Sequence, residues 1–367
     1  MAAPTPFDGA FAGRHVLLTG QTGFKGGWLA AWLVRLGAQV TAVALPPEDG
    51  PGYYRDTGIE ARIDSRFADI NDRAALAATL DGVEADLVIH MAAQALVRDS
   101  YADPVGTFMT NVMGTAHVLE EARRMPTLRG VVVVSSDKCY ENREWVWGYR
   151  ENDPMGGADP YSASKGCTEL LAASWRRSFF SDSDGPRLAS ARAGNVFGGG
   201  DWARDRLIPD IVRAAAAGTP VALRNPESKR PWQHVLEPLS GYLQLSAALL
   251  AGGERADAAA TGWNFGPGPD AVVPVSKLTE AMCAAWGAGA PQIRFADETD
   301  APHEAKILQL DSTKAITELG WRPRLTLREA AAMTAEWYAA HAGGQDMAAL
   351  SDRQIAAFEE RMTHDPR

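Results

Sequence analysis

Three glycines, Gly20, Gly23 and Gly26, stand in the segment HVLLTGQTGFKGGWLAAWL, between an apolar run at 16–18 and a stretch with helical periodicity. Side chains at such a turn would hold the backbone away from a pyrophosphate. A bare turn lets phosphate oxygens reach the unpaired amides that open the following helix. Taken alone, the spacing is also that of an ordinary structural turn. Its place in a strand, turn, helix, strand unit near the N-terminus points to a dinucleotide.

The rest of the N-terminal half repeats that alternation. Strands are predicted at 85–90 and 131–135, with helices at 73–80, 104–124 and 160–179. Trp28, Leu29, Trp32 and Leu33 recur on one helix face and read as residues packing on a sheet. Strands alternating with helices predict an α/β fold with a doubly wound parallel sheet. From about residue 198 the pattern gives way to Gly-, Pro-, Trp- and Arg-rich segments such as GGGDWARDRLIPD and RNPESKRPWQHV, which suggests a second, smaller domain.

Composition narrows the partners. The chain has 367 residues, 46% hydrophobic and 22% charged, enough to bury a substantial core. Lys and Arg number 36 against 46 Asp and Glu, for a net charge of -10. That balance argues against a nucleic acid or an anionic membrane, so any phosphate must be held by local groups. Cys139, Cys167 and Cys283 are odd in number and widely spaced, which predicts neither disulfides nor a structural zinc site. No metal cluster is expected from His90, His234 and His303; each reads as a satisfied structural histidine. With no basic-then-apolar start and no long uncharged apolar run, a soluble cytoplasmic protein is expected.

A second motif, Tyr161-Ser-Ala-Ser-Lys165, follows a strand ending in Ser135 and Ser136. Residues four apart share a helix face, so the Lys165 ammonium can sit beside the Tyr161 phenol and favour its anion. A phenolate is a suitable base for an alcohol that loses hydride to a nicotinamide. YxxxK alone occurs often by chance; the glycine turn and the upstream serine give it weight.

Together TGQTGFKG, HMAAQ, Asn111 in TNVMGT and YSASK resemble the extended short-chain dehydrogenase/reductase superfamily over nearly the whole chain. Within it, SSDKCYEN, WVWGYREN, DPYSASKGCTEL, RAGNVFGGGDWARDRLIPDI and RPWQHVLEPLSGY are similar to the CDP-glucose 4,6-dehydratase branch. The resemblance implies a Rossmann-type sheet of seven strands with a smaller C-terminal substrate-binding domain. The dinucleotide-binding domain would span 1–197, with 234–262 returning to it, and the substrate domain 198–233 and 263–367. It implies NAD held by Gly20, Thr22, Gly23, Phe24, Lys25, Gly26, Asp69, Ile70, Ala92, Ala93, Gln94, Asn111, Tyr161 and Lys165. The preference over NADP stays open, because the second strand ends in Ala44, Leu45, Pro46 and Pro47, with Glu48 and Asp49 beyond.

The chemistry implied is C4 oxidation of the sugar by Tyr161 with Ser136 and Lys165, loss of water across C5 and C6, and return of hydride to C6. Elimination needs a further acid and base, which Asp137 and Lys138 can supply. Related dehydratases carry two carboxylates here. Lys138 departs from that pattern, and as a base it would have to be neutral, which the adjacent Asp137 opposes. A salt-bridged pair at a strand end is the plainer reading. For the substrate, the resemblance points to Asn195, Leu207, Arg224 and His303, while Arg206 and Arg230 offer guanidinium forks for a pyrophosphate or serve as surface ion pairs. A sugar-nucleotide 4-epimerase or a non-catalytic NAD-binding regulator are the alternatives. Helices at 104–124 and 160–179 are expected to pair with their copies in a homodimer or homotetramer.

Overall fold

The structure is a computed structural model that describes residues 5–223, 225–295 and 307–363. Twelve strands form in chain order: β1 His15–Thr19, β2 Gln39–Ala44, β3 Asp64–Phe67, β4 Leu87–His90, β5 Gly130–Val134, β6 Arg187–Ala193, β7 Asn195–Phe197, β8 Val221–Leu223, β9 Lys229–His234, β10 Gly262–Phe265, β11 Val272–Pro274 and β12 Ile293–Phe295. Seven of them make one sheet in the order β10-β6-β5-β4-β1-β2-β3, every pair parallel. This is the doubly wound, Rossmann-type sheet expected from the sequence.

Both faces of the sheet are covered, which is why its strands read as unbroken apolar runs. Alternate residues serve opposite faces. Val16, Leu18, Val132 and Val134 join Trp28, Trp32 and the helix Leu236–Ala251, whereas Leu17, Val131 and Val133 join Leu76, Val118 and Ala172 on the other side. Trp28 and Trp32 are fully buried in this sheet-side core and meet further partners from elsewhere in the chain. Trp28 lies against Tyr53, and Trp32 meets Phe358 edge-on and donates to Glu359 Oε1 at 2.9 Å. The C-terminal helix Met347–Thr363 thereby packs on the helix Phe24–Arg35 that follows the glycine turn. The last strand of the large sheet, β10, begins at Gly262 and runs on to Phe265.

The remaining strands form a three-stranded sheet, β11-β9-β7, and a parallel pair, β12 and β8. No helix among the described residues is long and apolar enough to cross a membrane.

The predicted helix 104–124 is interrupted. It runs as Pro104–Phe108, a π-helical turn Met109–Gly114, and Thr115–Ala122. Such a turn frees backbone groups from the ordinary ladder. Here the Asn111 carbonyl accepts from Thr115 Oγ1 at 2.7 Å and from Thr168 Oγ1 at 2.8 Å, which ties this helix to Pro160–Phe179.

His90 closes β4 as a neutral, fully bonded side chain. Thr19 Oγ1 accepts the amides of Met91 and Ala92, so its own proton goes to His90 Nδ1 at 2.7 Å, and His90 Nε2 donates to Thr115 Oγ1 at 2.9 Å. His234 accepts the Leu236 amide on Nδ1 and sits edge-on to Trp28 and Phe197. Burial pushes both imidazoles down to about 3. The unfolded chain therefore binds more protons between pH 6.5 and 3, and stability falls as the pH falls through that window. We expect the urea midpoint to drop steadily from pH 7 to 4, by a few kcal/mol in free energy. The slope should be shallower in His234→Phe, and a pH-independent midpoint would contradict the assignment.

Candidate active site

The glycine turn lies at the C-terminal end of β1, beside the end of β4, where the strand order reverses. In open parallel sheets that crevice is where ligands bind. Gly20 has φ +88°, and a Cβ there would stand 2.9 Å from the Ala92 amide nitrogen. A Cβ on Gly26 would stand 2.0 Å from the Gly20 carbonyl oxygen. These two glycines close the turn onto the helix and onto the neighbouring strand end. Gly23, by contrast, is exposed, and the helix Phe24–Arg35 opens there with no side-chain cap and no acidic residue in its first turn. The Phe24, Lys25 and Gly26 amides and the positive helix end thus suit a pyrophosphate, so the residues present fit a dinucleotide.

Around that turn, Thr22 Oγ1 donates to the Leu45 carbonyl at 3.1 Å. Lys25 Nζ donates to the Tyr242 hydroxyl at 2.9 Å, and burial, with Lys165 and Arg206 nearby, pulls its pKa down to about 7. Ala92 is fixed through Thr19, with Ala93 next to it. Gln94 exchanges two backbone bonds with the Asn111 side chain, which also donates to Ser164 Oγ at 2.8 Å. Asp69 and Ile70 lie past β3, at the far edge of the sheet. Asp69 is exposed and accepts the Asn71 amide, while Ile70 is buried under Gly114. Past the end of β2, Arg55 bonds the Pro47 carbonyl at 3.0 Å and faces Asp49.

Tyr161 and Lys165 occupy the first two turns of Pro160–Phe179, a helix started by Asp159, whose carboxylate accepts the Ser162 amide. Both are buried. The phenol stands beside Ser136, and Ser136 Oγ donates to Asp137 Oδ1 at 2.9 Å. Burial raises Tyr161 to about 12, with Asp137 adding to the rise and Ser136 and Arg206 opposing it. Lys165 Nζ is 6.0 Å from the phenol ring centre and is lowered by burial to about 8. The ammonium therefore stands beside the phenol, as the spacing predicts, yet burial dominates the phenol's own titration.

Asp137 is buried, and burial raises its carboxyl, although Lys138, Ser136 and Arg230 favour the anion. Its second oxygen, Oδ2, has no hydrogen-bond partner among the described residues. Gly194 gives it room, since a Cβ there would lie 3.2 Å from Oδ2. Lys138 is half-buried and forms no ion pair with Asp137 or any other described residue, so the salt-bridge reading of this pair does not hold.

Of the substrate candidates, Asn195 opens β7 directly after Gly194, and Arg230 on β9 is buried within reach of Asp137. Arg206 precedes Leu207–Ala217 and pairs with the buried Asp201 at 3.2 Å, while its charge reaches Tyr161 and Lys25. Leu207 packs against the main core. Arg224 and His303 lie outside the described residues.

The sequence reading missed a buried polar group beneath these residues: Glu169, Arg192, Ser190, Tyr140 and Asn264. Glu169 stands eight residues after Tyr161, on the same helix face, and that spacing was the available signal.

A parallel Rossmann-type sheet, an open glycine turn at its reversal point and a Tyr–Lys pair facing a strand-end serine define a dinucleotide-dependent enzyme of the short-chain dehydrogenase type. The chain belongs to the GDP-mannose 4,6 dehydratase family, which matches residues 17–334. It is 46% identical over 355 residues to a CDP-glucose 4,6-dehydratase of Salmonella typhimurium, covering 96% of this chain and 98% of that one. A dTDP-glucose 4,6-dehydratase of Xanthomonas campestris is 26% identical over 340 residues, covering 88% and 92% of the two chains. Among solved structures, a dTDP-glucose 4,6-dehydratase from Streptomyces venezuelae with NAD bound superposes with a TM-score of 0.74 at 26% identity, covering 91% of this chain and 99% of that one. The resemblance to the extended short-chain dehydrogenase/reductase superfamily, and to its CDP-glucose branch, holds.

Proposed function

We propose that this chain is an NAD-dependent hydro-lyase that converts CDP-D-glucose to CDP-4-keto-6-deoxy-D-glucose and water. The observation that carries the reading is Asp137, a buried carboxyl with one oxygen unpartnered among the described residues, bonded to Ser136 and close enough to Tyr161 to act on its phenol. A 4-epimerase needs only the tyrosine and the serine. The acid beside them, together with the 46% identity to a CDP-glucose enzyme, favours the dehydratase.

When bound, NAD supplies the acceptor that takes hydride from C4 and gives it back at C6. Tyr161 takes the C4 hydroxyl proton, Ser136 holds the reacting oxygen, and Lys165 supplies positive charge to the phenolate and grips the cofactor ribose. The cofactor would rest on Gly20, Thr22, Gly23, Phe24, Lys25 and Gly26, against Ala92, Ala93 and Gln94 held by Asn111, with Asp69 and Ile70 at its adenine end. Once C4 is a ketone, the C5 proton is acidic. Asp137, whose raised pKa suits an acid, protonates the departing C6 hydroxyl, and Lys138 acts as the C5 base or supports the enolate. Arg206 and Arg230 would hold the pyrophosphate and Asn195 the sugar, the two arginines on the segment 198–233 and Asn195 at its border. A cytoplasmic setting suits both small molecules.

Because oxidation at C4 balances reduction at C6 within one bound sugar, CDP-glucose deuterated at C4 should yield product deuterated at C6. Deuterium accumulating in free reduced cofactor, one equivalent per turnover, would show a net dehydrogenase instead.

We further propose a dimer through the helices Pro104–Phe108 and Pro160–Phe179. Val105, Met109, Met113 and Leu170 are exposed, and Pro104, Val105, Phe108, Met109, Val112 and Met113 line an apolar groove on that side. Burying such a face in a two-fold contact is the common solution. Light scattering at micromolar concentration should give at least twice the chain mass, and a monomer would exclude it.

A further inference from the structure

The buried group under the active site is organised around one ion pair. Arg192 Nη2 bonds Glu169 Oε2 at 2.8 Å, with both side chains almost completely buried. Replacing a buried pair by apolar residues is often neutral or stabilising, so fold stability alone does not account for it. Its other bonds do. Glu169 also accepts from Ser135 Oγ and from Ser190 Oγ, the latter at 2.7 Å. Arg192 Nη1 donates to the Tyr140 hydroxyl at 2.5 Å and to the Glu151 carbonyl at 3.1 Å, and Tyr140 donates onward to Asn264 Oδ1 at 2.8 Å. One member of the pair thus holds Ser135 and the other holds Tyr140. Between those two residues lie Ser136, Asp137 and Lys138.

The same carboxylate is carried by the helix that bears Tyr161 and Lys165, one turn beyond the lysine. Lys165 makes no ion pair among the described residues. Around it stand Glu169 on its own helix, Cys139 on the turn after β5, His90 on β4, Lys25 on the first helix, and Tyr161. His90 is neutral, and Lys25 repels. Glu169 is the strongest of the groups that keep Lys165 charged against its burial.

Resting on the dehydratase reading above, we propose that Glu169 and Arg192 are positioning residues: they brace the segment 135–140 against the Tyr161 helix, and Glu169 keeps Lys165 cationic at working pH. Neither touches substrate. Their effect passes through Ser136, Asp137 and Lys165.

The test is Glu169→Gln, which keeps size and hydrogen-bonding capacity and removes the charge. In protein carrying ¹³C-labelled lysine, the Lys165 Cε signal, assigned through Lys165→Met, should titrate about one pH unit lower than in the parent protein. The alkaline limb of kcat with CDP-glucose should move down by a similar amount, with KM changed less than kcat. Ser135→Ala and Tyr140→Phe cut the brace from either end and leave the charges in place. Each should lower kcat several-fold with the Lys165 titration unmoved, and this pair decides the bracing role should Glu169→Gln fail to fold. An unshifted Lys165 titration in folded Glu169→Gln overturns the electrostatic role, and parent-like kcat in both cut variants overturns the brace. Parent protein that does not turn over CDP-glucose would instead remove the dehydratase reading, while the titration still reports on Glu169.

Discussion

Tyr161→Phe is expected to lower turnover about 10²-fold or more while leaving the fold and cofactor binding largely intact. The substitution deletes one oxygen and keeps a ring that is buried on the helix Pro160–Phe179. That oxygen is the part of the side chain that Ser136 acts on. Burial holds the phenol near 12 in the free protein, so at neutral pH it is protonated and must be ionised to serve as a base. On its acid side the parent activity should therefore rise with pH as the phenolate fraction rises. The residual rate of the Phe variant should lose that rise, because no titrating base is left at the position. Turnover against pH, with a thermal melt and a cofactor titration on the same preparations, checks the assignment. Near-parent activity in a folded variant would exclude Tyr161 as the base.

The sheet and the Tyr–Lys pair were legible because their signals are local. Unbroken apolar runs reflect strands covered on both faces, and glycines three apart reflect a turn that tolerates no side chain at Gly20 or Gly26. The groups that tune the site were not legible, since each depends on residues brought together by topology. Arg192 meets Glu169 only because β6 lies beside β5 under the Tyr161 helix, and Tyr140 joins them from the turn beyond. The π turn at Asn111 left no mark in helical periodicity. Its sign is the set of bonds it releases, to Thr115 and Thr168. The plain ion-pair reading of Asp137 and Lys138 rested on adjacency in sequence, but in the 3-10 turn Asp137–Cys139 the two side chains stay beyond ion-pair distance, with Lys138 acting on Asp137 only as a nearby charge.

That separation motivates the second large effect, a stall between oxidation and elimination in Asp137→Asn and Lys138→Met. Tyr161, Ser136 and Lys165 suffice to make the 4-ketone, and neither substitution removes them. On mixing with CDP-glucose, both variants should still develop the absorbance of reduced nicotinamide. The signal should then persist, because water loss needs an acid at the C6 hydroxyl and a base at C5. Asp137 suits the acid role, since burial raises its carboxyl and Oδ2, beside Gly194, has no partner among the described residues. The amide of Asn keeps the shape and cannot deliver a proton of comparable acidity. Lys138, half-buried and without an ion-pair partner among the described residues, suits the base role or the holding of the enolate. Exchange of the C5 proton in heavy water separates these roles. Asp137→Asn should exchange C5 while retaining the C6 oxygen, whereas Lys138→Met should lose exchange if the lysine is the base and keep it if the lysine only supports the enolate. Native dehydration rates in both variants, or no reduced cofactor in either while both remain folded, would show that oxidation and elimination are not divided between these residues in this way.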